Sequence, residues 1–541
     1  MGTVKRQSGA LNSVWEEKYS RQRAEGLYIA EDGREDRLAF PSGVSLFEYL
    51  ERGDKDNFIE TLLKYSKDRL EPPGKFRFSA LRSYLSSADF ADLNQGALST
   101  RPTPSIIILD ERRDPIDTST TTRHWDSDAY LRYPPQGTNV STEELDLCQL
   151  VQRLTENRRL NGAERRTLYV SHMTSSCAMA IIGTAPTRSI PILRKFLHNH
   201  LLSRTQFRIS LSGTYTIEFH IPYFALREGP PSLDNRRKGE DDFQAHKLLP
   251  LPRPGDEEAY YYEAQTSFLL TGIDERLYSV ICFVDTFFES EQSRDSYLDT
   301  TSPLDAPSGG SLWLQYPVWN PRQYALAVQS HRIFQAREEW TALINCFVER
   351  LKYYERLYKL PDDPMLTRTS ELTEAESTIR LFRDQLISTI RAWDEYYDSY
   401  GSLYEVESVI LYNWWQKYLG SIRESVSELR VLHELMAQKL ELFKSMRDGL
   451  VNASAFKESA EATRQGNKIS ILTRITMLFL PFTSVTAFFS LPQLPQSAWL
   501  WFAYWPAVFL FLVGTVYISR EPELLQSVFG EGYSRQKPCQ F

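Results

Sequence analysis

Cysteine is scarce in this chain of 541 residues, and its few cysteines are widely scattered. Small secreted scaffolds depend on dense disulfides, and structural zinc sites depend on cysteines that lie a few residues apart. The cysteines are odd in number and form no Cys-x-x-Cys pair; they are Cys148, Cys177, Cys282, Cys346 and Cys539. The pattern argues against both classes of protein and suits a reducing cytosol.

An excess of positive charge is also missing, because 62 Lys and Arg residues stand against 70 Asp and Glu residues, a formal net charge of -8. Nucleic-acid binding draws most of its affinity from Lys and Arg contacts with phosphate. We therefore expect no nucleic-acid partner. The first residues, Met-Gly-Thr-Val-Lys-Arg, contain no apolar run, so we expect no secretory signal.

Motifs for catalysis are absent as well. The sequence contains no Gly-x-Ser-x-Gly, no P-loop, no dinucleotide fingerprint and no His-Glu-x-x-His. His198, His200 and His220 suggest a metal site, but no cysteine or carboxylate cluster completes it, so we interpret them as structural. The sequence therefore predicts no enzyme and no bound cofactor, and it leaves any metal ligands unknown.

Two long apolar segments lie near the C-terminus. Ile475–Leu491 is interrupted only by Pro481 and hydroxyl residues, and Trp499–Ser519 has twenty-one residues without a charge. A membrane helix needs about 20 apolar residues, a length that the first segment reaches if the turns from Ile469 onward enter the interface. We predict a two-helix transmembrane hairpin over 469–519 in a lipid bilayer. The alternative is a pair of buried core helices.

The charges around these segments predict the orientation of the hairpin. Arg464, Lys468 and Arg474 precede the first segment, Arg520 follows the second, and residues 492–498 between them carry no charge. Positive residues favour the cytoplasmic side, and aromatic rings collect at the interfaces. The second segment begins with such rings at Trp499, Trp501, Tyr504 and Trp505. We expect a multi-pass protein with both termini in the cytoplasm and a cytosolic tail at 520–541.

The first part of the chain predicts an α/β domain. Residues 1–100 are of uncertain order, whereas residues 101–320 carry six segments rich in β-branched and aromatic residues. These are Ser105–Asp110, Thr167–Ser171, Gln206–Leu211, Thr214–Ile221, Tyr260–Leu269 and Leu277–Val284. Glu143–Leu154 and Ile190–Leu202 are predicted helices. Mobile loops are predicted at Asp114–Arg123, Glu228–Glu258 and Glu289–Ser311, and the acidic residues within them read as solvated.

Residues 321–468 predict a stalk of long helices. Two cover Tyr324–Leu357 and Ser370–Tyr400, and a third starts at Leu403 and meets no proline before Pro481. Apolar residues recur in it at alternating steps of three and four, as in a coiled coil. They run Leu419, Ile422, Val426, Leu429, His433, Met436, Leu440, Phe443, Arg447 and Leu450. We predict that this stalk helix continues as the first transmembrane helix, which makes the fold that of an α+β membrane protein.

The sequence Phe479-Leu-Pro-Phe-Thr483, preceded by Thr473 and Thr476, resembles the CorA-like superfamily of divalent-cation (magnesium) transporters. The resemblance implies a cytosolic α/β domain, a stalk helix continuous with the first span, and a homopentamer that transports metal ions passively. It also implies Mg²⁺ as a transported or regulatory ion, for which Asp241-Asp242, Asp362-Asp363 and Asp256–Glu258 are the acidic candidates.

The family's Gly-Met-Asn motif is replaced here. Its three pore-mouth positions are occupied by Ser490, Leu491 and Pro492. An asparagine carbonyl accepts hydrogen bonds from ion-bound water, whereas proline offers only its backbone carbonyl and leucine no polar side chain. Selectivity for magnesium therefore does not carry over from the resemblance.

A candidate pore-lining face follows from heptad spacing. Ile469, Thr476, Thr483 and Ser490 lie seven apart, and an adjacent line holds Thr473, Leu480 and Ala487. On an axis shared by several subunits, these hydroxyls would contact a hydrated cation and Leu480 would form an apolar constriction. Alternatively, small and hydroxyl residues only allow close helix packing.

Three interpretations remain open at the level of sequence. The chain is a CorA-like channel or transporter, a non-conducting membrane-anchored sensor or adaptor with the same fold, or an unrelated tail-anchored platform for helical partners. The hydroxyl residues favour the first interpretation, and the loss of Gly-Met-Asn favours the second.

Overall fold

The structure is a computed structural model, and it describes seventeen stretches of the chain. They are residues 11, 13–20, 55–64, 78–89, 93, 105–112, 141–156, 163–186, 189–229, 246–252, 255–256, 258–285, 295–298, 304–357, 367–405, 409–490 and 499–520. The chain divides into two compact units. One comprises Met1–Leu360 and Ser370–Met446, and the other comprises Pro361–Thr369 and Arg447–Phe541.

The first unit is built on one mixed sheet of eight strands. They are β1 (Ser105–Glu111), β2 (Ser141–Leu145), β3 (Arg165–Ser171), β4 (Gln206–Ser212), β5 (Thr214–Glu228), β6 (His246–Leu248), β7 (Ala259–Gly272) and β8 (Tyr278–Val284). The order is β2-β1-β3-β8-β7-β5-β4, and β6 pairs with β7 beyond the end of β8. Only β3 and β8 are parallel. The mixed α/β domain expected from the sequence is confirmed.

The long antiparallel ladder of β5 and β7 forms the centre of the sheet. Its register runs from Tyr215 opposite Gly272 to Glu228 opposite Ala259. Both strands are buried along most of their length, so both faces of the sheet are covered. Gly272 is required at its position, because a Cβ atom there would lie 2.5 Å from the hydroxyl of Tyr215.

Five helices cover one face of the sheet: α1 (Lys55–Lys64), α2 (Ser79–Ser86), α3 (Leu147–Thr155), α4 (Ser175–Gly183) and α5 (Ile190–Leu201). Their apolar side chains join those of the strands in a continuous core that includes Phe58, Leu85, Phe196 and Phe283. The start of α3 is fixed by a capping box, in which the Asp146 carboxylate accepts from the amide of Gln149 at 2.7 Å.

One short helix follows, α6 (Asp295–Leu298), and then four longer ones: α7 (Pro321–Leu357), α8 (Thr367–Tyr400), α9 (Val409–Phe489) and α10 (Trp499–Arg520). Helix α7 packs on β5 and β7. Rings from the sheet and from α7 and α8 meet edge to face there, with Phe224 5.4 Å from Trp340 and Tyr261 5.2 Å from Phe382. The long helices of the predicted stalk are confirmed, and α9 is continuous for 81 residues.

Several predicted boundaries are wrong. The helix predicted over Glu143–Leu154 begins only at Leu147, because Ser141–Leu145 pairs with β1 as a strand. The third long helix begins at Val409 and not at Leu403, since Gly401–Tyr404 forms a 3₁₀ turn. Within the predicted loop Glu289–Ser311, residues 304–311 are ordered, and Asp305 holds the segment by accepting from the amide of Ser308 and the hydroxyl of Tyr324.

The buried seam of α9 follows the predicted heptads except at two positions, His433 and Arg447. Leu419, Ile422, Val426 and Leu429 are buried as expected. Met436, Leu440, Phe443 and Leu450 are buried as expected too, whereas His433 and Arg447 are only partly buried and the residues before them, Leu432 and Met446, are buried instead. A straight helix has 3.6 residues per turn, so a strict seven-residue repeat does not match its buried stripe at every position.

Candidate pore helix

The candidate pore-lining residues share one side of α9. At about 100° per residue, positions seven apart differ by about 20°, so the two predicted lines occupy one face of the helix. All six are exposed in the single chain: Thr473, Thr476, Leu480, Thr483, Ala487 and Ser490. Of the pore-mouth positions, Ser490 ends this face, and Leu491 and Pro492 lie outside the described residues.

The hydroxyl groups on this face donate to the backbone of their own helix. Thr473 donates to the carbonyl of Ile469 and Thr476 to that of Leu472, both at 2.8 Å. Ser490 donates to the carbonyl of Thr486 at 2.7 Å. A hydroxyl has one hydrogen to donate and two lone pairs. Each of these oxygens therefore faces outward only as an acceptor, the property that a cation or its bound water requires.

The hydroxyl of Thr483, between Thr476 and Ser490 on the candidate face, also donates to the backbone of its own helix. Its hydroxyl lies 3.2 Å from the carbonyl of Phe479 and 3.0 Å from that of Leu480. The backbone thus holds four hydroxyl oxygens in defined rotamers along the segment that also carries the apolar side chain of Leu480.

The second apolar helix contacts a different side of α9. The hydroxyl of Thr486 lies 3.0 Å from that of Tyr504 in α10. Beside it Val485 is only 4% exposed, and Val508 of α10 is 3% exposed. Val485 points about 160° away from Ala487, which lies near the middle of the candidate face. The sequence did not single out Thr486, which lies about 60° around the helix from Thr483, at the edge of the candidate face on the side of Val485.

Small neutral residues continue the two lines toward the start of α9. They are Asn452, Ala455, Ser459, Ala462 and Gly466, and all are exposed in the single chain. Charged neighbours such as Arg464 and Lys468 lie off these lines. The face is therefore free of charge from Asn452 to Ser490.

The two apolar segments differ in length. Among the described residues, α9 contains a stretch long and apolar enough to cross a membrane, and Phe502–Gly514 of α10 is a shorter apolar stretch. Large apolar side chains on both helices face outward, including Ile471, Phe479, Phe502 and Phe509. This exposure is opposite to that of soluble core helices, which bury their apolar residues.

The predicted histidine cluster is divided by the structure. His220 contacts Glu218 and Ser267, and His200 contacts the same Ser267 hydroxyl at 2.8 Å. His198 instead packs edge to face on Phe78. Within the part of the chain that the structure describes, no three His, Cys, Asp or Glu side chains group as metal ligands.

Of the acidic candidates, Asp256 and Glu258 lie within the described residues. Asp241-Asp242 and Asp362-Asp363 lie outside the described residues. Asp256 is 4.0 Å from the guanidinium of Arg350, and Glu258 accepts from the hydroxyl of Tyr260 at 2.9 Å. On the stalk, burial and the charges of Arg383 and Arg391 lower the pKa of His433, partly opposed by Glu434 and Asp384. Its imidazole is therefore neutral at pH 7.

Comparisons with known proteins found similar solved structures. No protein-family model matches the sequence, and no curated protein matches it either. The CorA magnesium transporter from Methanocaldococcus jannaschii is 12% identical, with 77% of this chain and 97% of that chain covered and a TM-score of 0.32. The full-length CmaX protein is 14% identical, with 66% and 89% covered and a TM-score of 0.32.

Proposed function

We propose that this protein is a CorA-like membrane channel or transporter that moves divalent metal cations, Mg²⁺ or a related ion, passively through an oligomeric pore. The observation that carries the proposal is the charge-free face of α9, where Thr473, Thr476, Thr483 and Ser490 present acceptor oxygens away from the contact between Thr486 and Tyr504. That face is available to line an axis while α10 packs behind it.

Several copies of the chain are needed to enclose a path. One helix offers a single column of hydroxyls, and a hydrated ion needs ligands around its whole circumference. A ring of identical subunits places each hydroxyl level on a common axis and surrounds it. The resemblance of Phe479–Thr483 to the CorA-like motif makes a homopentamer the form that we propose.

The membrane potential supplies the driving force. A potential of 100 mV is worth about 2.3 kcal/mol per elementary charge, and about twice that for a divalent ion. With Arg464, Lys468 and Arg520 on the cytoplasmic side, both termini lie there, and a negative interior draws cations inward. No step needs a catalytic residue or a bound cofactor.

A non-conducting sensor or adaptor is the second candidate. The observation that favours it is the replacement of the pore-mouth motif by Ser490, Leu491 and Pro492. Such a chain would keep the assembly and the cytosolic domain and would bind a partner without passing ions. The two candidates differ in one measurable property, the flux of cations.

The test is reconstitution of the purified chain in liposomes, followed by influx of Mg²⁺, Ni²⁺, Co²⁺ and Zn²⁺. Thr483→Val removes one hydroxyl level from the candidate face at nearly constant volume. We expect it to lower the flux of the conducted ion about tenfold, since an apolar ring replaces acceptor oxygens at mid-membrane.

Thr486→Val is the matched control. It makes the same chemical change one turn away, on the side of α9 that contacts Tyr504. We expect flux within about twofold of that of the unchanged chain. Absence of flux for every ion from a verified oligomer would exclude transport and leave the adaptor. Equal losses in both variants would place the path on another face.

A further inference from the structure

The first turns of α9 are held by a buried arginine between two tryptophans. The guanidinium carbon of Arg322, at the start of α7, lies 4.9 Å from the ring centre of Trp415 in α9. It lies 4.8 Å from the ring centre of Trp15, which belongs to residues 13–20 near the N-terminus. Both indoles are 0% exposed and Arg322 is 3% exposed. One cation is thus shared by two segments 400 residues apart.

Hydrogen bonds tie the same arginine to three further places. Its Nη2 donates to Glu16 at 2.9 Å and to Glu275, in the turn between β7 and β8, at 3.1 Å. Its Nη1 donates to the carbonyl of Leu403, in the turn before α9, at 3.1 Å. A buried cation is tolerated only when its charge and its donors are matched in this way.

Residues 13–20 are seated on the sheet by few but specific contacts. The indole nitrogen of Trp15 donates to Glu275 at 2.8 Å, and the amide of Glu275 donates to the carbonyl of Tyr19 at 3.0 Å. The rings of Trp15 and Tyr19 lie 4.7 and 5.1 Å from that of Tyr215. The segment adds no strand to the sheet, so side chains supply most of its attachment.

Two features make this attachment reversible. Glu275 accepts from both Trp15 and Arg322, so it can keep Arg322 paired when the N-terminal segment leaves. The indole nitrogen of Trp415 is buried and donates to no atom among the described residues. A buried donor without an acceptor destabilises the closed arrangement, and water would supply the missing acceptor on opening.

We propose that residues 13–20 form a releasable clasp on the first turns of α9, with Arg322 as the group shared by Trp15 and Trp415. When the clasp is closed, these turns are fixed to the sheet. When it opens, Trp415 becomes exposed and the first turns of α9 loosen. Because α9 is the helix that carries the candidate pore-lining face, the clasp regulates ion flux; this last step rests on the proposed function.

The test compares hydrogen exchange in the full chain and in Trp15→Ala. We expect exchange of residues 409–420 to become at least about tenfold faster, while residues 219–228 of β5 and 259–268 of β7 change less than about twofold. Glu16→Gln is the milder variant and removes one acceptor of Arg322 without removing a ring. It is expected to accelerate the same residues to a smaller extent.

Trp414→Ala is the matched control. It removes the neighbouring indole of α9, which is 40% exposed and stacks on Tyr418 outside the clasp. We expect the hydrogen exchange of residues 13–20 to be as slow in this variant as in the unchanged chain. Unchanged exchange at 409–420 in both Trp15→Ala and Glu16→Gln would overturn the clasp. Acceleration of β5 and β7 to the same extent would overturn it too, because Trp15 would then be an ordinary core residue.

Flux through liposomes separates the clasp from the proposed function. A change of at least about threefold in the initial Mg²⁺ influx of Trp15→Ala supports regulation. Normal influx together with faster exchange at 409–420 overturns regulation and leaves a purely structural contact. If the unchanged chain passes no ion, the transport proposal fails, and exchange alone decides whether the clasp exists.

Discussion

At the scale of single residues, the buried histidines illustrate how hydrogen bonds assign protonation. The hydroxyl of Ser267 lies 2.8 Å from Nδ1 of His200 and 2.7 Å from Nδ1 of His220. Nε2 of His220 faces a carboxylate oxygen of Glu218 at 2.8 Å and so carries a hydrogen. The Ser267 hydroxyl links the two imidazole rings, and its donor and acceptor roles follow from the tautomer of each histidine. Glu218, His220, Ser267 and His200 thus form one continuous hydrogen-bonded chain.

This chain of hydrogen bonds predicts a pH-dependent stability. Burial acts to raise the pKa of Glu218, but the hydrogen bond and charge of His220, the charge of Lys195 and the hydrogen bond from Asn199 outweigh burial and lower this pKa. A carboxyl with a lowered folded-state pKa contributes stability above its unfolded pKa of about 4.5, and that contribution is lost as the pH falls through the folded value.

We therefore expect Glu218→Gln to lower the free energy of unfolding by about 1–3 kcal/mol at pH 7 and by less near pH 4. Thermal denaturation of the full chain in detergent at both pH values measures the difference. Glu258→Gln is the control, because the Glu258 carboxylate is exposed and accepts from the hydroxyl of Tyr260. A Glu218→Gln deficit that is the same at both pH values would contradict the assignment.

At the scale of elements, residue type alone predicts the strands, whereas a helix buried on every side escapes prediction. The strands at Ser105–Asp110 and Gln206–Leu211 were found from β-branched and aromatic content. Helix α4, Ser175–Gly183, was missed because eight of its nine residues are buried, which leaves no polar face to reveal its period. The pore-lining face depends on neighbouring copies, so the single chain leaves it a prediction.

The buried residues of α9 allow a direct test of whether this helix follows a strict seven-residue repeat. Leu432 is 9% exposed and lies in the seam, while the adjacent His433 is only partly buried. We expect Leu432→Ala to destabilise the first unit by about 2–3 kcal/mol, because it leaves a cavity between helices, and His433→Ala by less than about 1 kcal/mol. Thermal denaturation compares the two variants. If His433→Ala were more destabilising than Leu432→Ala, His433 would be the buried seam residue, as the strict heptad repeat predicts.

At the scale of the whole molecule, the exposed length of α9 predicts self-association. Residues 455–477 are exposed on every side of the helix in the single chain, yet one face carries only small neutral residues over Ala455, Ser459, Ala462 and Gly466. Small residues let helices approach closely. The drift of about 20° per heptad is removed if neighbouring helices wind into a left-handed supercoil. The charged side, with Arg464, remains in water.

Cysteine cross-linking in the membrane tests this arrangement. We expect Ala462→Cys to give a ladder of linked chains on oxidation, because equal positions on a shared axis face one another. Arg464→Cys, about 160° around the helix, is expected to give at most traces. The unchanged chain controls for its native cysteines, of which Cys177 and Cys282 are buried. Equal ladders from both variants would indicate unspecific collision. If every variant ran as a monomer, the oligomeric pore would be contradicted, since one chain supplies only one wall of it.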